Sequence, residues 1–252
     1  MSEVLLHINN LSYRYPDGTV ALNNIAFKVK RLEKLAIIGP NGAGKSTLLT
    51  CLNGVRSATG EIAVDGINLT RQNLKKIRQK LGLVFQNPDD QLFCNSVFDD
   101  VAFGPLQLSI ETEEVISRVK DALVEVGLPD HQNRHPSHLS YGERKSISIA
   151  TVLSMNPSIL ILDEPSSNLD PKRRKKLIYY LKNFEKTLII ATHDLDMALD
   201  VCDNALILNK GEIAAEGRVS EILSDEILLE KNELELPLSL VHRDNIKPTD
   251  KR

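Results

Sequence analysis

Residues 39–46 read Gly-Pro-Asn-Gly-Ala-Gly-Lys-Ser, and no other stretch restricts the possible folds as sharply. The apolar run Leu35–Ile38 leads into it, and a leucine-rich stretch after Thr47 leads out. Glycines between a strand and a helix let the backbone fold back, so that successive N–H groups converge on one point and attract an anion. A helix opening near Lys45 adds the positive end of its dipole. Lys45 supplies a full charge for the β- and γ-phosphates of a nucleoside triphosphate, and the Ser46 hydroxyl can ligate Mg²⁺. The spacing G-x-x-x-x-G-K-[ST] thus predicts a phosphate cradle on an α/β scaffold, made by Gly39, Pro40, Asn41, Gly42, Ala43, Gly44, Lys45, Ser46 and Thr47.

The rest of the chain supplies such a scaffold. Further short apolar runs fall at Leu83–Phe85, Ile159–Leu162, Leu188–Ala191 and Leu206–Leu208. Unbroken runs of this length suit strands of a parallel sheet buried on both faces. Helical stretches lie between them; Asp170-Pro171 offers an N-cap and a first-turn proline ahead of "KRRKKLIYYLKNF". Asp65-Gly66 and Lys210-Gly211 each sit between alternating segments and predict hairpins, hence an antiparallel β edge. The region of about 87–150 reads as a helical lobe inserted into the core, broken by Pro88, Pro105, Pro129 and Pro136. Residues 1–230 form one expected domain, and 231–252 a loose tail ending in the polar "HRDNIKPTDKR".

Composition removes several alternatives. With 252 residues and 42% hydrophobic side chains the chain can bury a substantial core. A net charge of -3 gives no footprint for nucleic acid. No apolar run is long enough to cross a bilayer, and "MSEVLLHINNLSYRY" lacks the order of a secretory signal. Cys51, Cys94 and Cys202 are scattered and fit a reducing compartment.

Two further stretches carry chemistry. In "SILILDEPSSNLD" four apolar residues end in Asp163-Glu164. A carboxylate at the tip of a buried strand beside a phosphate cradle can hold Mg²⁺, here Asp163. Glu164, one residue on, points elsewhere and is suited to orient and deprotonate an attacking water. In "HLSYGERKSISIATVL", Ser140-x-x-Glu143 is a capping box, which could simply start a helix or could also aim a hydroxyl and a helix N-terminus at phosphate.

Taken in order, these motifs resemble the ATPase subunits of ABC transporters over about residues 3–230. The resemblance rests on "GPNGAGKST" (Walker A), the glutamine loop at Gln86, "LSYGE" (signature), "ILILDEP" (Walker B), "SSNLD" (D-loop) and "ATHD" with His193. It implies a RecA-like P-loop NTPase core that binds ATP and Mg²⁺, with Ser46, Gln86 and Asp163 at the metal. It also implies head-to-tail pairing with a second ABC ATPase subunit, each ATP lying between one P-loop and Ser140 and Gly142 of the other subunit. Asp170 would support that contact. Gln86 would sense the γ-phosphate, Glu164 would be the general base, and Lys45 and His193 would hold the γ-phosphate. Tyr15, in "YRYPDG", stands where the family stacks an aromatic ring on adenine, with Tyr13 close by.

The signature departs from the usual Leu-Ser-Gly-Gly-Gln: Tyr141 replaces a glycine and Glu143 the glutamine. Tyrosine would be strained if that backbone needed positive φ, and Glu143 brings negative charge toward a phosphate. "FQNPDDQLF" resembles the ATPases of energy-coupling-factor importers, which take up vitamins such as biotin or transition-metal ions, and "LLEKNELELP" is similar to their cobalt and nickel members. That implies a transmembrane coupling subunit and a substrate-binding membrane protein as partners, and a peripheral place on the cytoplasmic face of the membrane. Leu92 and Phe93 would be apolar contacts for a partner helix. His131, His135 and His138 are poorly placed for a metal because Pro136 interrupts them, and "KRRKK" (Lys172–Lys176) reads as a solvated helix face.

Overall fold

The computed structural model describes residues 3–244, arranged as two sheets and a helical lobe. The strands are β1 (Val4–Arg14), β2 (Val20–Lys30), β3 (Lys34–Ile38), β4 (Thr59–Val64), β5 (Ile67–Asn68), β6 (Leu81–Val84), β7 (Ile159–Asp163), β8 (Thr187–Thr192), β9 (Asn204–Asn209) and β10 (Glu212–Arg218). The helices are α1 (Lys45–Leu52), α2 (Leu74–Lys80), α3 (Val97–Gln107), α4 (Thr112–Glu125), α5 (Tyr141–Leu153), α6 (Pro171–Lys182), α7 (Leu195–Val201), α8 (Val219–Ile222), α9 (Glu226–Lys231) and α10 (Leu238–Asp244).

The main sheet runs β10-β9-β3-β8-β7-β6; all its pairings are parallel except β9–β10. Every residue of β7 and β8 is buried, which is why these strands read as unbroken apolar runs. Each side chain so buried contributes about 2 kcal/mol. On one face, β3, β7 and β8 share a core with α1 and a second sheet, β2-β1-β4-β5, which is antiparallel throughout. On the other face, α6, α7 and α8 cover the sheet. The lobe built from α3, α4 and α5 has a core of its own, centred on Val97, Val101, Val119, Leu123 and Ile147.

The antiparallel part is larger than the hairpins alone predicted: β1 and β2 escaped the sequence reading. Their alternation is interrupted by bulges, with Asn10 and Asn24 at φ 52° and 53°. Each such residue shifts the side-chain register by one and hides the period of two. The run at Leu83–Phe85 is a strand at Leu81–Val84 instead, because the Phe85 N–H leaves the ladder to donate to Gln91 Oε1 at 3.0 Å. From Asn232 to Leu236 the chain is not loose. Asn232 is buried and accepts from Asn209 Nδ2, and Leu234 and Leu236 pack on the core ahead of α10. Most of "HRDNIKPTDKR" lies outside the described residues.

"KRRKK" is only partly the solvated face expected. Lys172, Lys175 and Lys176 are exposed, but Arg174 turns inward and donates to both carboxylate oxygens of Asp194 at 2.7 Å. Ser166 Oγ and the Met197 N–H complete that carboxylate's partners. Burial alone would push the Asp194 pKa up, but these hydrogen bonds, led by Arg174, outweigh it and bring it below 3.8. A carboxyl group lowered on folding stabilises the protein above the unfolded-state pKa, and that stability is lost as pH falls through the folded value. Arg174→Ala should therefore cost about 1 kcal/mol near pH 7, a figure discounted for partial exposure, and the difference from the parent should shrink below pH 3.8. Denaturant titrations at pH 7 and pH 3 check this.

Candidate nucleotide site

The glycine loop joins β3 to α1. At Gly39 an added Cβ would lie 2.0 Å from the Leu208 carbonyl oxygen, so only glycine fits against β9. Gly44, at φ 105°, is the N-cap of α1. It offers no capping side chain, and no acidic residue occupies the first turn, so the N–H groups there remain available to an anion. Ala43 is pinned by its carbonyl, which accepts from the Gly211 N–H in the β9–β10 turn. Asn41 and Gly42 are exposed at the tip, with Pro40 behind them.

The Lys45 side chain is 7% exposed; its ammonium donates to the carbonyls of Gly39 and Pro40 and lies 3.9 Å from Glu164 Oε1. Burial lowers its pKa, while Glu164 and Asp163 oppose that shift. Ser46 and Asp163 meet beside it. Burial raises the Asp163 pKa, a hydrogen bond from Ser46 works against this, and Asp163 Oδ1 is buried without a hydrogen-bond partner. A carboxylate oxygen short of a partner, next to a hydroxyl, fits a hard oxygen-seeking cation such as Mg²⁺.

Glu164 sits in the left-handed region at φ 44°, anchored by its N–H to the Ala191 carbonyl. That turn sends its side chain away from Asp163 and toward the end of β8. There Oε2 lies 2.8 Å from His193 Nδ1 and accepts from Thr192 Oγ1 and the His193 N–H at 3.3 Å. Positive φ in a non-glycine residue is a local strain that the surrounding contacts must hold. Lys45, Ser46, Asp163, Glu164 and His193 thus stand together at the ends of β3, β7 and β8. Nearby, the Tyr15 hydroxyl bonds Thr47 Oγ1 at 2.8 Å, its ring meets Tyr13 edge-on, and the Arg56 guanidinium lies 5.0 Å from its centre.

Gln86 is exposed, and its backbone carbonyl is held from the lobe side by Lys145 Nζ at 2.7 Å and the Tyr141 hydroxyl at 3.3 Å. Lys145 was missed in the sequence. It is 1% exposed, and its ammonium also reaches the carbonyls of Phe85 and Asp163, riveting α5 to both strand ends. Its signal was a lysine in the apolar helical stripe with Ser148, Ile149 and Val152. Gln91, also missed, links the Phe85 N–H to the Ser148 carbonyl and Thr151 Oγ1.

Ser140, Gly142 and Asp170 form a separate group. Among the described residues, no hydrogen bond or ion pair joins them to the glycine loop. Ser140 caps α5 in a full capping box: its N–H and hydroxyl both bond Glu143 Oε2 at 2.8 Å. These bonds, with Arg173 behind them, hold the Glu143 carboxyl below the usual range. Tyr141 is the first residue of α5 and is absent from the positive-φ positions, so the feared strain does not arise. Among the described residues no group of three or more His, Cys, Asp or Glu side chains is gathered so that it could hold a metal ion.

The sequence profile of the ABC transporter family matches residues 22–167. An energy-coupling factor transporter ATP-binding protein, EcfA, of Methanothermobacter thermautotrophicus is 46% identical over 239 residues, covering 92% of this chain and 77% of that protein. The solved structure of cbiO1 from Clostridium perfringens, described as part of the ABC transporter complex cbiONQ, superposes with a TM-score of 0.80 at 37% identity, covering 97% of this chain and all of that one. A dimeric ATP-binding cassette in a post-hydrolysis state with ADP and Pi superposes with a TM-score of 0.78 at 30% identity, covering 85% of this chain and 99% of that one. The chain belongs to the ABC transporter family. It is an ABC-type ATPase, and the resemblance to the energy-coupling-factor ATP-binding subunits holds.

Proposed function

We propose that this chain hydrolyses ATP as the energising subunit of an importer, closing head to tail on a second copy of itself and driving membrane partners that take up Co²⁺ or Ni²⁺. The observation that carries the catalytic part is the Glu164–His193 pair at 2.8 Å beside Lys45 and Asp163. Phosphoryl transfer needs positioning and charge stabilisation more than covalent chemistry. Lys45, freed from its own loop carbonyls, and the N–H groups of α1 bind the β- and γ-phosphates. Ser46, Asp163 and Gln86 hold Mg²⁺, which when bound offsets phosphate charge. Glu164 orients the attacking water and takes its proton, with Thr192 and His193 fixing its carboxylate. Tyr15 and Arg56 offer planar groups to the adenine.

The paired geometry explains the two groups of site residues: Ser140, Gly142 and Asp170 complete the site of the opposite copy. That the related cassette with ADP and Pi is dimeric supports this. Lys145 and Gln91 carry closure of the site to the helical lobe through the backbone around Gln86. At the lobe surface, Phe93 is 67% exposed and meets the exposed Phe103 edge-on at a centroid distance of 5.0 Å, an apolar contact offered to a membrane partner. Leu92 is only half-buried and packs against the lobe core. Among the described residues no helix is long and apolar enough to cross a membrane.

The Co²⁺ or Ni²⁺ cargo rests on the resemblance at Leu228–Pro237. Cells lacking this chain should lose most uptake of one of these ions and recover it on complementation. Unchanged uptake of both, with a vitamin transported instead, would redirect the cargo and leave the ATPase reading standing.

A further inference from the structure

Arg173 reaches from the first turn of α6 across the start of α5. An added Cβ on Gly142 would lie 2.5 Å from Arg173 Cδ and 3.1 Å from Nε and Nη1. The guanidinium therefore covers the signature glycine. Its Nη2 is 3.5 Å from Glu143 Oε1 and its Nε is 3.2 Å from Asp170 Oδ2. The other Glu143 oxygen is taken by Ser140, and His131 Nε2 stands 3.9 Å from Oε1. The carboxylate that replaces the expected glutamine is thus faced by the guanidinium of Arg173, which also grips the D-loop end.

This arrangement has an electrostatic meaning once α5 is expected to meet a triphosphate. A helix N-terminus attracts an anion, and an uncompensated carboxylate on its first turn repels it. We propose that Arg173 is a positioning residue for the half-site given to a second copy of this chain: it cancels the Glu143 charge and ties the signature turn to Asp170, so that the N-terminus of α5 stays attractive to the partner's ATP. The inference rests on the paired-site reading above. It also accounts for how the signature tolerates a glutamate.

A purely mechanical strut and a charge-compensating residue differ in one respect. Removing the Glu143 charge relieves the loss of Arg173 only if charge is the issue. Full-length protein in a Glu164→Gln background, where turnover is slowed, is titrated with ATP, and pairing is followed by light scattering. Arg173→Ala should raise the ATP concentration for half-maximal pairing about tenfold, the scale of one unit-charge interaction at close range in a nearly water-like, screened setting. ATP binding to the single subunit should stay within about twofold, which also shows that the variant folds, because the two positions share no partners. Adding Glu143→Gln to Arg173→Ala should bring pairing back to within about threefold of the parent. Unaltered pairing in Arg173→Ala, or an equal loss whether position 143 is Glu or Gln, overturns the inference. A parent protein that binds ATP yet never pairs overturns the paired-site reading, and this inference with it.

Discussion

Glu164→Gln should slow ATP turnover by about 10²- to 10⁴-fold while ATP still binds. Glutamine keeps the shape of the side chain, and its carbonyl oxygen can still accept from Thr192 Oγ1 and the His193 N–H, so the strained turn at φ 44° keeps its anchors. What is lost is the capacity to take a proton. The negative charge 3.9 Å from Lys45 Nζ also disappears, which leaves the lysine freer to serve phosphate. Affinity should therefore be equal or higher in the variant. Single-turnover rates together with equilibrium ATP binding check both halves, and undiminished turnover would remove Glu164 as the base.

Lys45→Met should weaken ATP binding about 100-fold or more, because charge-assisted hydrogen bonds contribute about 1.5–3 kcal/mol each and Lys45 can make more than one to the phosphates. Methionine fills much of the same buried space, so the fold should survive. The Gly39 and Pro40 carbonyls lose a donor but lie next to solvent-exposed loop residues. The contrast between the variants is the informative part: one binds without turning over, and the other fails at binding. Calorimetric titration with ATP, alongside a thermal melt, checks it.

Much of this was legible in the sequence because local physics and function agree there. The glycine loop needs its glycines for close approach to β9 and for the start of α1, and both demands appear as a pattern. The core strands announce themselves because both their faces are buried. The capping box at Ser140 and Glu143 formed as read. The bulged strands β1 and β2 were hidden by Asn10 and Asn24. Lys145 and Gln91 were hidden for another reason. Apart from Thr151 Oγ1, their partners are backbone carbonyls and N–H groups, which leave no trace in the partners' residue types. Arg173 and Arg174 looked like any basic run; only the placement of α6 against α5 and α7 separates them from the exposed lysines around them.

A site split between two copies can be tested by mixing. Lys45→Met removes the phosphate grip of one copy, and Ser140→Arg blocks the helix end that the other copy would contribute; each variant alone should be nearly inactive. Mixed in equal amounts, they form pairs in which one site joins an intact glycine loop to an intact signature. ATP turnover should then reappear at a substantial fraction of the parent rate and rise with protein concentration. Mixtures as inactive as their components, or parent turnover per molecule that does not change on dilution to the monomer, would contradict a site shared between subunits.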